Sequence, residues 1–105
     1  MKRPYEVLKE EGIKLLKNIV GDNLDYSCYS ISQPHVGSVW ITYQDNSLNK
    51  KDPKVVSLFY HPNCRHLTTT NGKLGEKKSC AGPGEWAISE QTKGDKDNKS
   101  ECRTF

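Results

Sequence analysis

The sequence has few of the residues from which a hydrophobic core is built. Leu, Ile, Val and Phe account for 21 of its 105 residues, a share at the border between folded and disordered chains. The longest strongly apolar run, residues 55–60, is about a third of the roughly 20 residues that a membrane-spanning helix needs. The N-terminal residues do not form the apolar segment of a signal peptide. We therefore expect a single domain over residues 1–105 with one modest core and no membrane partner.

A strong charge of one sign is also missing. Sixteen Lys and Arg residues against 13 Asp and Glu residues give a net charge of +3, which is small for a dedicated nucleic-acid binder. The chain lacks a Ser-His-Asp arrangement, a glycine-rich phosphate loop and a calcium-binding loop. These absences predict a non-enzymatic monomer that uses no cofactor, does not bind nucleic acid and acts by binding another protein.

The four cysteines do not form a Cys-x-x-Cys motif, which argues against a redox pair and a zinc ribbon. An even number of widely spaced cysteines in a chain with a thin core is typical of two disulfides. Three pairings are open, and we favour Cys28–Cys102 with Cys64–Cys80, because these bridges would fasten the polar segments to the strands. Disulfides require an oxidising compartment, so we expect a secreted, extracellular protein.

Hydrophobic periodicity predicts one helix followed by strands. Apolar residues recur at helical spacing over residues 4–20, and the period then changes to two. We predict strands at residues 24–32, 38–44, 54–60 and 85–90, and a short one at 67–70. The polar segment 91–101 has no apolar residue and would depend on Cys102 for its attachment. The fold class is therefore α+β, with the helix packed on a four- to five-stranded antiparallel sheet that two disulfides stabilise.

Glycine and proline indicate the limits of the helix and its packing. Pro4 suits the first turn, and Gly21 is a typical residue just after a helix. Gly12 lies inside the helix, where it costs about 1 kcal/mol relative to Ala. We predict that it allows close packing against the sheet.

The segment His61-Pro62-Asn63-Cys64-Arg65-His66 is the densest group of chemically active side chains. With Cys80 it could ligate zinc, but the spacing is not that of a common structural zinc site, and we predict no metal. Cleavage of RNA by general acid–base catalysis is the enzymatic alternative, and its groups would be His35, His61, His66, Glu85 and Arg65.

Two short segments, Tyr26-Ser27-Cys28 and Glu101-Cys102, resemble in outline the disulfide-linked regions of small secreted ribonucleases of the T1 type. The helix precedes the first cysteine here, whereas it follows that cysteine in those enzymes. Fungal secreted effectors share the Tyr-x-Cys start on a non-catalytic ribonuclease-like fold. This resemblance implies either a small ribonuclease or an inactive relative that binds a target.

A second resemblance concerns the order helix, strand, Gln33-Pro34-His35-Val36-Gly37, strand. It is similar to the order in cystatins, the cysteine-protease inhibitors, whose first hairpin carries Gln-x-Val-x-Gly; here the valine comes one place later. The segment Pro83-Gly84-Glu85-Trp86 resembles the Pro-Trp of the second cystatin hairpin. The N-terminal glycine segment that cystatins place beside the protease cleft is missing.

The cystatin resemblance implies inhibition by steric blocking, in which two hairpin tips enter the protease groove without presenting a cleavable bond. It implies a Cys80–Cys102 bridge and an aromatic anchor at Trp86. The implied contact residues are Gln33, Pro34, His35, Val36, Gly37, Pro83, Gly84 and Trp86. A pathogen effector that acts on a host protein is the alternative within the same class of binding proteins.

Overall fold

The structure is a computed structural model that describes residues 4–21, 28–45, 53–94 and 98–105. Within these ranges the chain forms one helix and seven strands. They are α1 (Tyr5–Val20), β1 (Tyr29–Ser32), β2 (Val39–Gln44), β3 (Lys54–Tyr60), β4 (His66–Gly72), β5 (Gly75–Ala81), β6 (Trp86–Thr92) and β7 (Lys99–Thr104). A four-stranded antiparallel sheet has the order β1-β2-β3-β6, and a three-stranded antiparallel sheet has the order β5-β4-β7.

The helix has the predicted limits. Pro4 precedes it, and Gly21 ends it at a φ of 88° with its N–H donating to the Lys17 carbonyl oxygen at 2.7 Å. Leu8, Gly12 and Leu16 are its buried residues. A Cβ at Gly12 would lie 2.7 Å from Cη2 of Trp86 and would also collide with Cδ1 of Ile41, which confirms the predicted close packing. Of the part of the chain that the structure describes, no helix is long and apolar enough to cross a membrane.

The hydrophobic core lies between the helix and the four-stranded sheet. Alternate residues of the central strands point toward the helix, as the period of two predicts. The fully buried members are Leu8, Leu16, Val39, Ile41, Tyr43, Val56, Leu58 and Tyr60. The alternation predicted for the first strand holds for Tyr29 and Ile31, which pack against this core, but Cys28, predicted on the opposite face, packs against the core as well. Residues 24–27 of that prediction lie outside the described residues.

The three-stranded sheet covers the opposite face of β3 and β6, so the layers are helix, four-stranded sheet and three-stranded sheet. The contact between the two sheets includes polar side chains. The Ser57 hydroxyl bonds to that of Thr68, and the Thr70 hydroxyl lies 2.8 Å from that of Ser89. Gln91 is 3% exposed and its amide donates to the carbonyl oxygens of Thr70 and Gly75 at 3.0 and 2.7 Å. Buried hydroxyl and amide groups are tolerated because they find hydrogen-bond partners.

The prediction of a single sheet of four to five strands was wrong, because the described residues form seven strands in two sheets. β4 extends beyond the predicted 67–70, and β5 and the final strand β7 were not predicted. The three-stranded sheet buries Thr and His side chains of β4 where a typical strand buries Val or Ile, so hydrophobic alternation does not mark it. The first half of β7 lies within the polar segment 91–101, and strand pairing with β4 holds it in place.

The two predicted disulfides were also wrong, because Cys28, Cys64, Cys80 and Cys102 are all free thiols. Cys28 packs on the helix side of the four-stranded sheet, whereas Cys102 pairs with Thr68 and lies on the other side of that sheet. Cys80 and Cys102 lie opposite Leu67 and Thr68, which point to different faces, so a Cys80–Cys102 bridge is excluded as well.

The predicted Cys64–Cys80 bridge is likewise absent. Cys64 lies in the bend that precedes β4, whereas Cys80 lies on β5 opposite Leu67, and both thiols are free. Secretion was inferred from the disulfides, and it stays a prediction that the free thiols do not support.

Candidate functional site

The connections at one end of the four-stranded sheet emerge side by side. Val39, the first residue of β2, lies opposite Tyr60, the last residue of β3, and Tyr60 lies opposite Trp86, the first residue of β6. Residues 33–37, 61–65 and 82–85 therefore share one end of the molecule, and Phe105 joins them because its N–H donates to the Arg65 carbonyl oxygen at 2.9 Å. We call this set of residues the loop end.

The 33–37 turn is held in shape by a buried serine behind it. The Ser38 hydroxyl accepts the His35 N–H at 2.9 Å and donates to the His35 carbonyl oxygen at 2.8 Å. Gly37 has a φ of 79° and lies against Pro62, so the turn rests on the 61–65 segment. Val36 stands at the tip with 83% of its surface exposed. The turn is thus a preformed loop that presents an apolar side chain.

Hydrogen bonds connect the 61–65 segment to the 82–85 loop. The His61 carbonyl oxygen accepts the Gly84 N–H at 2.9 Å. The His66 ring is fully buried, and its two nitrogens lie 2.9 Å from the carbonyl oxygens of Cys64 and Glu85. These contacts fix the three connections relative to one another, so the loop end is a surface of defined shape.

The His61 ring acts as a backbone cap. Its Nδ1 accepts the N–H groups of Asn63 and Cys64, each at 3.1 Å, and the side chain is 6% exposed. Burial lowers the pKa of His61 below its ordinary value of 6.5, and the neighbouring His35 and His66 lower it further. The ring is therefore neutral near pH 7, with its proton on Nε2, because Nδ1 serves as an acceptor.

Trp86 points away from the tip of its loop. Its ring packs beneath the helix beside Gly12 and lies 5.5 Å from the Tyr60 ring, centroid to centroid. The indole N–H donates to Glu11 of the helix at 3.2 Å. Trp86 thus supports the base of the 82–85 loop, whereas Pro83 and Gly84 are the exposed residues at its tip.

Phe105 was not among the residues that the sequence singled out, whereas Arg65 was named there as a group of the ribonuclease alternative. Phe105 is 65% exposed, and the guanidinium carbon of Arg65 lies 5.8 Å from its ring centroid, within cation–π distance. A single aromatic residue at the end of a polar segment carries no periodicity, and only the β4–β7 pairing shows that it reaches the loop end. Its exposed ring adds a second apolar group to the one at Val36.

The site residues of the ribonuclease alternative do come together. The His35 and His61 ring centroids are 5.5 Å apart, and those of His61 and His66 are 6.3 Å apart. Acid–base catalysis needs two groups that can exchange protons with a substrate. Both nitrogens of His66 and Nδ1 of His61 are engaged with the backbone, whereas His35 is exposed. The geometry therefore favours a structural role for two of the three rings.

The same hydrogen bonds bear on metal binding. A histidine ligates a metal through a ring nitrogen that has no proton, and the contacts of His61 and His66 occupy three of their four ring nitrogens. Among the residues that the structure describes, no three His, Cys, Asp or Glu side chains are grouped to hold a metal ion.

Comparison of this chain with models of known protein families, with curated protein sequences and with solved structures finds no match.

Proposed function

We propose that this protein is a non-enzymatic binding domain whose loop end contacts another protein. The observation that carries the proposal is the gathering of three connections and Phe105 at one end, with Val36 83% and Phe105 65% exposed. Exposed apolar side chains on a fixed scaffold are typical of interaction sites. The charged side chains of Arg65 and Glu85 are exposed beside them, as in the polar rim of many interfaces.

The sharpest form of the proposal is cystatin-type inhibition of a papain-like cysteine protease. It draws support from the shared position of the 33–37 and 82–85 loops, because steric blocking needs both tips on one edge. Two features depart from the cystatin pattern: the β4–β5 hairpin is inserted between β3 and β6, and Trp86 faces the helix. The contact residues of the second loop would then be Pro83 and Gly84.

Inhibition can be tested by titrating papain, hydrolysing a fluorogenic peptide, with the wild-type chain and two variants. Val36→Glu places a charge at the tip of the 33–37 loop. Leu74→Glu is the matched control, because Leu74 is 74% exposed in the β4–β5 turn at the opposite end of the strands. We expect inhibition by the wild type and by Leu74→Glu, and a loss of at least about tenfold in potency for Val36→Glu, since apolar hot-spot contacts contribute about 2 kcal/mol or more.

Undiminished papain activity at micromolar excess of the wild type would exclude the inhibitor form. Equal potency of the two variants would show that the loop end is not the inhibitory surface. An effector that acts on a host protein is the other form of the binding proposal, and it predicts the same dependence on Val36 with a different target.

A small ribonuclease is the second candidate, and the observation that favours it is the proximity of His35, His61 and Arg65 at the loop end. Incubation of the chain with single-stranded RNA tests it directly. Degradation that disappears in His35→Gln would support the ribonuclease and would weigh against the binding proposal. Survival of full-length RNA at micromolar protein would exclude it.

A further inference from the structure

The outer edge of β7 carries backbone groups that no strand in the described ranges pairs with. The N–H of Phe105 donates to the Arg65 carbonyl oxygen. Every second residue before Phe105, which means Arg103, Glu101 and Lys99, therefore directs its backbone N–H and C=O groups toward β4. In an antiparallel pair the residues between these direct their N–H and C=O groups away from the partner strand. Ser100, Cys102 and Thr104 are those residues, and no strand in the described ranges pairs with this edge.

The edge of β6, on the other side of the molecule, is protected by contrast. The Ile88 N–H donates to the Ser79 hydroxyl at 3.4 Å, and the ammonium group of Lys77 donates to the Glu90 carbonyl oxygen at 3.0 Å. Proteins commonly protect edge strands by covering them. Side chains of β5 thus cover the edge of β6, and no corresponding contact covers β7 in the part of the chain that the structure describes.

The four-stranded sheet has one strand more than the three-stranded sheet, so its surface extends past β7 and forms a step beside that strand. The three-stranded sheet lies over β3 and β6, so β2 and β1 extend beyond β7. The face that the described residues leave uncovered includes Trp40, whose indole N–H donates to Ser57 on the same face at 2.9 Å. We call this uncovered face the floor of the step. By strand alternation its other members are Ser30, Ser32, Thr42 and Gln44.

We infer that this step binds one extended peptide segment of a partner protein, which adds to β7 as a fourth strand of the three-stranded sheet. Backbone hydrogen bonds to an exposed edge strand are a general mode of peptide recognition. The floor would contact every second side chain of the segment, about 10 Å below the new strand, which is the usual distance between packed sheets. The site is separate from the loop end and does not depend on its function.

The outer face of β7 indicates the chemistry of the segment. Lys99, Glu101 and Arg103 alternate along this face. Opposite charges in directly facing cross-strand pairs are stabilising, and like charges are destabilising. The partner segment is therefore expected to carry the pattern acidic-x-basic-x-acidic, with the basic residue opposite Glu101. The intervening residues face the floor and should be β-branched, since such residues favour strands.

A second copy of this chain does not fit the step. Antiparallel pairing of β7 with its own copy requires a two-fold axis perpendicular to the three-stranded sheet. That axis would place both four-stranded sheets in one layer, where their projecting β2 strands would occupy the same space. A single extended segment has no such sheet beneath it, and it fits.

The probe is the peptide Thr-Glu-Val-Lys-Val-Glu-Thr, and binding is measured by calorimetry and by backbone amide exchange of the full chain. We expect binding, with increased protection at Ser100, Cys102 and Thr104. Methylation of the backbone nitrogens of both Val residues, which face β7, should weaken binding at least tenfold. Methylation of the Glu and Lys nitrogens, which face away, should change it by less than twofold.

Charge reversal gives a second readout in which the ladder between β4 and β7 stays intact. Glu101→Lys should weaken binding of the probe at least tenfold, and replacing the probe's Lys by Glu should restore it. Glu76→Lys is the matched control, because Glu76 lies on the same outer face on β5 and pairs with a lysine at 3.0 Å, as Glu101 does at 3.5 Å.

Several results would overturn the inference. They are failure of the probe to bind, equal affinities of the two methylated peptides, protection confined to the loop end, and no restoration by the reversed probe. Self-association of the chain through β7 in sedimentation experiments would also overturn it.

Discussion

At the residue scale, hydrogen-bond partners decide what the polar side chains of the loop end can do. His61 looks in the sequence like a catalytic or metal-binding residue, but its Nδ1 accepts two backbone N–H groups and shapes the 61–65 segment. Cys64 and Cys102 were predicted to form disulfides with Cys80 and Cys28, but both are free and half-buried. Each role follows from the neighbours that the fold supplies.

The lowered pKa of His61 predicts that stability falls in mild acid. Below pH 6.5 the unfolded chain takes up a proton that the folded chain does not bind, so the free energy of unfolding decreases as the pH falls through this range. Thermal unfolding followed by circular dichroism should show a lower midpoint at pH 5.5 than at pH 7.5. His61→Asn, whose side-chain oxygen can still accept the two N–H groups, should reduce this difference, whereas His35→Asn should retain most of it. A midpoint independent of pH between these values would contradict the assignment.

The free thiols predict a definite labelling pattern. All four cysteines should react with iodoacetamide in denaturant without reductant. In the folded chain Cys102 should react slowly, because burial raises its pKa from 9.0 to about 11 and lowers its thiolate fraction about 100-fold. Exposed Cys80 should react first. Peptide mass spectrometry measures both results, and fewer than four labelled cysteines in denaturant would show that disulfides exist.

At the element scale, Gly12 determines how closely the helix approaches the four-stranded sheet. The missing side chain leaves room for Ile41 and the Trp86 ring, and Trp86 in turn carries the base of the 82–85 loop. Helix position and loop position are therefore coupled through one tryptophan.

Gly12→Ala should destabilise the protein by about 1–2 kcal/mol, although Ala favours helices, because the added methyl group overpacks the site. Asn18→Ala, at an exposed position of the same helix, is the control and should be neutral or slightly stabilising. Urea unfolding measures both changes. Stabilisation by Gly12→Ala would show that the helix lies farther from the sheet than described.

At the scale of the whole molecule, the two sheets are joined by a mixed layer, in which Val55, Phe59 and Ala87 are buried beside hydrogen-bonded polar side chains. Ser57, Thr68, Thr70, Ser89 and Gln91 are the polar members of this layer, and no buried side-chain nitrogen or oxygen among the described residues is without a partner. A polar contact of this kind depends on every member, since a buried group that loses its partner costs about 1–3 kcal/mol.

Gln91→Met should therefore cost about 2–4 kcal/mol, because it removes partners of the Thr70 and Gly75 carbonyl oxygens and of the Leu74 N–H. Gln33→Met, at an exposed position of the loop end, is the matched control and should change stability by less than about 0.5 kcal/mol. Chemical denaturation compares the two. Equal stabilities would show that the layer between the sheets is accessible to water.

The sequence by itself determined the elements whose side chains follow a hydrophobic period. It predicted the helix with its limits, strands β2 and β3, and the close packing at Gly12. These features could be predicted because they depend on residues that are near one another in the sequence. Only the tertiary structure decided the rest. β5 and β7 exist because β4 pairs with them, and the four-stranded sheet separates Cys28 from Cys102. Phe105 reaches the loop end through the pairing of His66 with Thr104, which are 38 residues apart in sequence. Non-local hydrogen bonding leaves no period in the chain, so its consequences appear only when the strands are assembled.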